Sequence, residues 1–304
     1  MPVYTYTTFD DPLASGGDGT HAAGINDTGQ IVGTYDDASG VHGFLLSGGS
    51  YTTLDAPLAQ QYTTAQGING AGQIVGVYFS HTGLQTGLHG FLYNKGVYTT
   101  LDDPLAANGT EAFGINGNGQ IVGRYFNASG THGFLYSGGT YTTLDEPLAT
   151  NGTEAFGING NGQIVGRYFN ASGTHGFLYS GGIYITLDDP LASNGTNAVG
   201  INTAGQIVGN YTDSTGDHGF LETTVPNPPP PAATTADLIL RGSNTSPVAG
   251  QVRDLRHRQQ RDPRRLLLGP GWSRLAVCRP RSLLRRRHHR HDVAQHHHRR
   301  VRGL

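Results

Sequence analysis

The sequence predicts an all-β fold, a five-bladed β-propeller, on three observations. Units of 43–47 residues recur through the first 222 positions, each holds four short strand-like runs, and nothing has a helical period. The repeat is marked by three strings. His-Gly-Phe starts at His42, His89, His132, His175 and His218; Gly-Ile-Asn starts at Gly24, Gly67, Gly114, Gly157 and Gly200; Gln-Ile-Val-Gly follows from Gln30, Gln73, Gln120, Gln163 and Gln206. An Asp-x-Pro-Leu signal, with Asp10, Asp55, Asp102, Asp145 and Asp188, closes each unit. Residues 108–139 and 151–182 are identical, the trace of a recent duplication.

The third unit shows the expected elements in order. Glu111–Asn116 reads as a strand and Gly117-Asn118-Gly119 as a tight turn; Gln120–Phe126 is the second strand and Asn127–Thr131 a polar loop. His132–Tyr136 is the third strand, Ser137-Gly138-Gly139 a turn, and Tyr141–Asp145 the fourth strand. Ile, Val, Phe, Tyr and Thr fill the runs, and Gly, Asn and Ser bound them, as the pleated backbone favours. Gly and Asn at positive φ would account for the hairpin turns.

Four antiparallel strands in about 40–45 residues is a propeller-blade period, and a β-solenoid is the alternative. Ile121-Val122 and Phe134-Leu135 are apolar at adjacent positions, so both faces of the sheet are buried, as in stacked blades. The chain opens on a fourth-strand signal, Tyr4–Asp10, and its repeats end on a third-strand signal, His218–Leu221. The N-terminal strand is therefore expected to complete the last blade and close a ring without free edges.

The units (GIN-x-x-G-QIVG-x-Y, HGFL, YTTLD-x-P) over about residues 4–222 resemble the HAF family of bacterial extracellular repeats. The resemblance implies an extracellular or cell-surface protein and no particular activity. No basic n-region and apolar core open the sequence, so no signal peptide is expected, and export would use another route.

Beyond the propeller, expected at 1–224, a Pro-rich linker covers 225–235, and 236–250 resembles the start of an FG-GAP-like repeat module. Residues 251–304 hold sixteen arginines and three aspartates, whereas 1–250 hold four basic and nineteen acidic residues. The formal charge of −2 thus sums a −15 part and a +13 tail. The tail reads as a disordered product of a shifted reading frame: a permitted codon choice for 253–265, read one base later, gives an ordinary soluble sequence. The competing reading is an Arg/His arm on nucleic acid, but only Trp272 could stack on bases. Nucleic acid is accordingly not an expected partner. No run nears the roughly 20 apolar residues of a spanning helix. One cysteine, Cys278, excludes an intrachain disulfide.

In a four-stranded meander the strand 4-to-1 connection and the strand 2–3 loop share one rim. Ligand-binding candidates on that polar rim are Asp55, Asp102, Asp103, Asn108, Asn127, His132, Asp145, Asn151, Asn170, His175, Asp188 and His218. Each His is expected to bond within its own blade, and each Asp before Pro to cap a turn. No catalytic, metal or cofactor site is expected. Acids repeated in every blade share one environment and cannot separate their pKa values, which weighs against a propeller glycosidase. The expected role is a monomeric, non-enzymatic binding scaffold for a protein partner. The alternative is a lectin-like module with one weak carbohydrate site per blade.

Overall fold

The computed structural model of the protein describes residues 5–82 and 85–223, so the linker, the second module and the arginine-rich tail lie outside the described residues. The described part is five antiparallel meanders arranged as propeller blades. Blade one is β1 (Thr20–Ile25), β2 (Ile31–Asp37), β3 (Gly40–Ser47) and β4 (Ser50–Leu54). Blade two is β5 (Thr63–Ile68), β6 (Ile74–Thr82), β7 (Gln85–Asn94) and β8 (Val97–Leu101). Blade three is β9 (Thr110–Ile115), β10 (Ile121–Asn127), β11 (Gly130–Ser137) and β12 (Thr140–Leu144). Blade four is β13 (Gly152–Ile158), β14 (Ile164–Asn170), β15 (Gly173–Ser180) and β16 (Ile183–Leu187). Blade five has β17 (Gly195–Ile201), β18 (Ile207–Asp213) and β19 (Gly216–Glu222). Among the described residues no helix is long and apolar enough to cross a membrane.

Each joint between blades is an apolar layer with two contributors. Between blades two and three, Val75 and Leu92 meet Ala112, Ile121, Tyr125 and Phe134. The next joint repeats this with Val122 and Leu135 against Ala155, Ile164, Tyr168 and Phe177. Both faces of an inner blade are thus covered, the reason its strands carry apolar residues at adjacent positions. Within a blade, the Tyr125 hydroxyl reaches Thr143 Oγ1 at 3.1 Å, tying strand two to strand four across strand three.

The first strand of each blade adjoins the first strand of the next. Glycine makes this approach possible: a Cβ on Gly114 would stand 2.5 Å from Phe156 O, and one on Gly67 would stand 2.7 Å from Phe113 O. An asparagine then spans the gap. Nδ2 of Asn26, Asn69 and Asn116 donates to the carbonyls of Asn69, Asn116 and Asn159 at 3.0 Å, and Asn159 donates to Asn202 O at 2.9 Å. The same Asn116 amide donates to Gln120 Oε1, and its Oδ1 accepts the Asn118 and Gln120 backbone N–H groups. Gly-Ile-Asn-x-x-Gly-Gln is therefore a turn cap and an inter-blade bolt in one. In the turn itself only glycine takes the left-handed conformation, with φ 75° at Gly119; Asn118 does not, which corrects the expectation for the asparagines.

Ring closure by the N-terminal strand is not observed. Thr5–Phe9 forms no strand, and the β17–β18–β19 sheet has three strands among the described residues. The physical reason lies at the two end faces, which do not meet. Ile25 of blade one is 67% exposed, whereas Ile68, Ile115 and Ile158 at the same position are 9% exposed. The side chain of Asn202, the last member of the asparagine series, bonds only inside its own turn among the described residues.

The close glycine approach gives a direct prediction. Gly114→Ala drives a methyl into a neighbouring backbone carbonyl and should cost about 1–3 kcal/mol, the range of overpacked cores. Gly200→Ala, whose Cβ would meet only Val208 Cγ2 at 3.1 Å, should cost under ~1 kcal/mol. Denaturant unfolding of dilute protein checks the pair; equal losses would mean that the joint does not depend on glycine.

Candidate functional site

The polar rim is built from the ends of strands two and four and the start of strand three. In blade three the β10–β11 register sets Tyr125 opposite His132, and the rings stack with centroids 5.0 Å apart. His132 Nδ1 lies 3.0 Å from both carboxylate oxygens of Asp145, at the end of β12. A carboxylate only accepts, so Nδ1 carries the proton. Nε2 faces Ser129 Oγ at 2.8 Å and Asn127 Oδ1 at 3.2 Å. Blade four repeats the arrangement with His175, Asp188, Ser172 and Asn170. Blade one uses His42, Asp55, Ser39 and Asp37, which sets His42 between two carboxylates. In blade two, His89 bonds Asp102 at 2.9 Å.

The remaining candidates take other places on the same rim. Asp103 is buried: its Oδ1 caps the Leu105 N–H, its backbone N–H bonds Thr110 Oγ1, and burial pushes its carboxyl pKa up. Asn108 and Asn151 expose their side chains and anchor their loops through backbone N–H bonds to Phe126 O and Phe169 O. His218 bonds Thr215 and Asp213 through Nε2 at 3.0 and 3.2 Å, and its Nδ1 has no partner among the described residues. The rim thus brings His and Asp together within each blade, with Asn beside them in blades three and four. Among the described residues no group of three or more His, Cys, Asp or Glu side chains is arranged to hold a metal ion.

Three blades therefore place serine, histidine and aspartate in the order of a nucleophilic triad, which is recognised by geometry and roles. The surroundings differ from those of a nucleophile. The Ser129 hydroxyl is 2.6 Å from Asn127 Oδ1, so two acceptors compete for its one proton. Its backbone N–H, the nearest donor for an oxyanion, bonds Asn127 Oδ1 at 2.8 Å. These hydrogen bonds close the tight loop between Asn127 and His132.

A second constellation, absent from the residues singled out in the sequence, lies at the inner strands of blades three and four. Arg124 Nη2 pairs with Glu111 Oε2 at 2.8 Å, and Arg124 Nη1 pairs with Glu154 Oε1 of the next blade at 2.6 Å. Arg167 Nε donates to Glu154 Oε2 at 2.7 Å and Arg167 Nη1 reaches Asn197 at 3.3 Å. Arg124 Cζ lies 5.4 and 5.0 Å from the Phe113 and Phe126 ring centres, and Arg167 repeats this on Phe156 and Phe169. Burial pulls the Arg124 pKa down, but the Glu111 and Glu154 carboxylates outweigh it and leave it raised. For Glu111 burial outweighs Arg124, and its pKa is raised. Two arginines and two glutamates cancel, so the line carries no net charge with which to attract an ion. The sequence signal was available: two of the four basic residues in the first 250 occupy one repeat position, thirteen residues after a glutamate.

No family model and no curated protein matches this chain. Among solved structures it is similar to the β-propeller domain of the Trilobed protease from Pyrococcus furiosus, described as having an open velcro topology. Identity is 11%, coverage 63% of this chain and 60% of that one, and the TM-score 0.43. It is also similar to an acylaminoacyl peptidase in complex with Z-Gly-Gly-Phe-chloromethyl ketone, at 11% identity, 67% and 37% coverage and a TM-score of 0.45. The chain thus spans less than two thirds of either protein.

Two predictions follow from the geometry. Glu154→Gln leaves Arg124 and Arg167, 24% and 31% exposed, facing each other without the 6% exposed carboxylate between them. The expected cost is about 2–3 kcal/mol, below the ~3–5 kcal/mol of a fully buried broken pair because both arginines are partly solvated. Glu111→Gln, which strips one partner from one arginine, should cost less; the reverse order in denaturant unfolding would contradict the bridging role. On the rim, the Thr215 hydroxyl and backbone N–H, with His218, hold the Asp213 pKa down at about 2. A depressed carboxylate contributes stability above its ordinary range and loses it as pH falls towards 2. NMR titration of the Asp213 carboxyl should show that low midpoint, and Thr215→Val should raise it.

Proposed function

We propose that the protein is a non-enzymatic interaction scaffold whose polar rim is its contact face. The supporting observation is the saturation of the rim chemistry: in blades one, three and four both imidazole nitrogens are held by side chains of the same blade. Groups so committed rigidify loops, and rigid loops on a stable sheet scaffold suit recognition better than proton transfer. Placement outside the cell rests on the resemblance of the repeats to the HAF family. A carbohydrate occupant is the second reading. Residues 108–139 and 151–182 are identical and give consecutive blades the same rim, a spacing that fits a polymer with repeating units.

Two assays on the intact chain test the proposal. A fluorophosphonate probe, which captures activated serines, should label the protein no more than its heat-denatured control. Labelling that disappears in a Ser39→Ala, Ser129→Ala, Ser172→Ala variant would make the rim an active site and end the scaffold reading. A glycan array then separates the partners: saturable binding to several equivalent sites assigns carbohydrate, and a blank array leaves a protein partner.

A further inference from the structure

Both ends of the blade stack carry one half of a joint that the interior builds four times. At the N-terminal end, Thr5-Tyr6-Thr7-Thr8-Phe9-Asp10 repeats the fourth-strand string Thr140-Tyr141-Thr142-Thr143-Leu144-Asp145. The segment after it is already docked as in the interior: Asp11 N bonds Thr20 Oγ1 at 2.9 Å and Asp11 Oδ1 caps the Leu13 N–H, as Asp103 does for Thr110 and Leu105. Thr5–Thr8 are nevertheless exposed and pair with nothing among the described residues, and Tyr6 is 97% exposed. At the other end β19 is an edge strand.

The missing contacts are complementary group by group. In four blades the second-strand tyrosine bonds a fourth-strand threonine, as Tyr168 does Thr186 at 3.1 Å. In blade five Tyr211 has no such threonine among the described residues, and the counterpart of that threonine in the repeat is Thr8. In four blades the His Nδ1 meets an aspartate; His218 Nδ1 has none, and its counterpart is the exposed Asp10. The apolar faces match as well. Val208 is 50% exposed, whereas Val75, Val122 and Val165 are 0% exposed at the same position, and Leu221 is 61% exposed. Opposite them in the repeat stand Ala22, exposed where Ala65, Ala112 and Ala155 are 0% exposed, and Ile25.

We infer that the protein associates head to tail with a second copy of itself: blade one of one copy stacks on blade five of the next, and Thr5–Phe9 becomes the fourth strand of that blade. Within one chain the two faces stand apart, so a second copy is the occupant that supplies strand, threonine, aspartate and apolar face together. Such an interface uses two different patches and is heterologous, so a head-to-tail dimer retains one free half-joint at each end. This replaces the monomer expected from the sequence.

Light scattering coupled to size exclusion tests it on the full chain. The mass should rise with concentration to at least twice that of one chain. Val208→Lys and Ala22→Lys should each give monomers, and their equimolar mixture should give a dimer containing one of each, since each variant keeps the face the other has lost. The β15–β16 pairing of Leu178 with Ile185 places Leu221 opposite Thr7 in the completed blade. A Thr7→Cys, Leu221→Cys, Cys278→Ser variant should therefore oxidise to a ladder of cross-linked chains. A concentration-independent monomer, a mixture that stays monomeric, or an oxidised product made only of internally cross-linked single chains would overturn the proposal, the last by showing ring closure instead.

Discussion

At every joint an asparagine side-chain amide crosses from one blade to the next at a place where the first strands run close together. The Asn116 Nδ2 bond to Asn159 O and the Gly114 approach to Phe156 O belong to one local device. A buried, satisfied amide contributes on the order of 1 kcal/mol net, so the series does not by itself hold the fold together. Its larger effect is geometric. The apolar layers of Val, Tyr and Phe could slide over one another, and a directional bond at each inner strand fixes which residues meet. Inside each blade the strand register does the same work: it sets the Tyr125 ring opposite His132, and His132 meets Asp145.

The sequence showed the strands and their order because each depends on local chemistry. Alternating and paired apolar residues, bounded by Gly-Asn-Gly and Ser-Gly-Gly, mark the strands, and the observed bounds differ by one or two residues. His132 with Asp145 was legible as an in-blade clasp because both recur at fixed spacing. The Arg124–Glu154 pair was not, because the partners are 30 residues apart in different blades and meet only once the stack exists. The asparagine bolt was not legible for the same reason: Asn116 closes a strand in the sequence, and its second acceptor belongs to the next repeat. Ring closure was expected because the end signals complement each other, and complementarity does not say whether the complement lies in the same chain.

The rim and the inner line show how a surface can hold many polar and charged groups in paired arrangements. Each imidazole in blades one, three and four has an acceptor on one nitrogen and a hydroxyl on the other, and each arginine of the inner line faces at least one carboxylate. Such pairing lowers the energy of the resting arrangement, and a proton transfer would have to give that back. The clasp of blade three is repeated with the same side-chain types in blade four. What varies between blades is the inner wall, with Thr64 and Val77 in blade two where blade three has Glu111 and Arg124.

A joint made only of repeated positions has a consequence for the ends. Because every blade carries the same glycine, asparagine, valine and tyrosine, any blade can sit on any other, which is how an exact duplication of residues 108–139 could be accommodated without redesign. The same indifference means that the first and last faces are no less adhesive than the inner ones. Repeat proteins ordinarily end in units with a polar outer face. Here blade five ends on Val208 and Leu221, and blade one on Ala22 and Ile25, with no charged residue substituted at these positions. The chemistry that makes the stack extensible is therefore what leaves its two end faces apolar and complementary, and unpaired among the described residues.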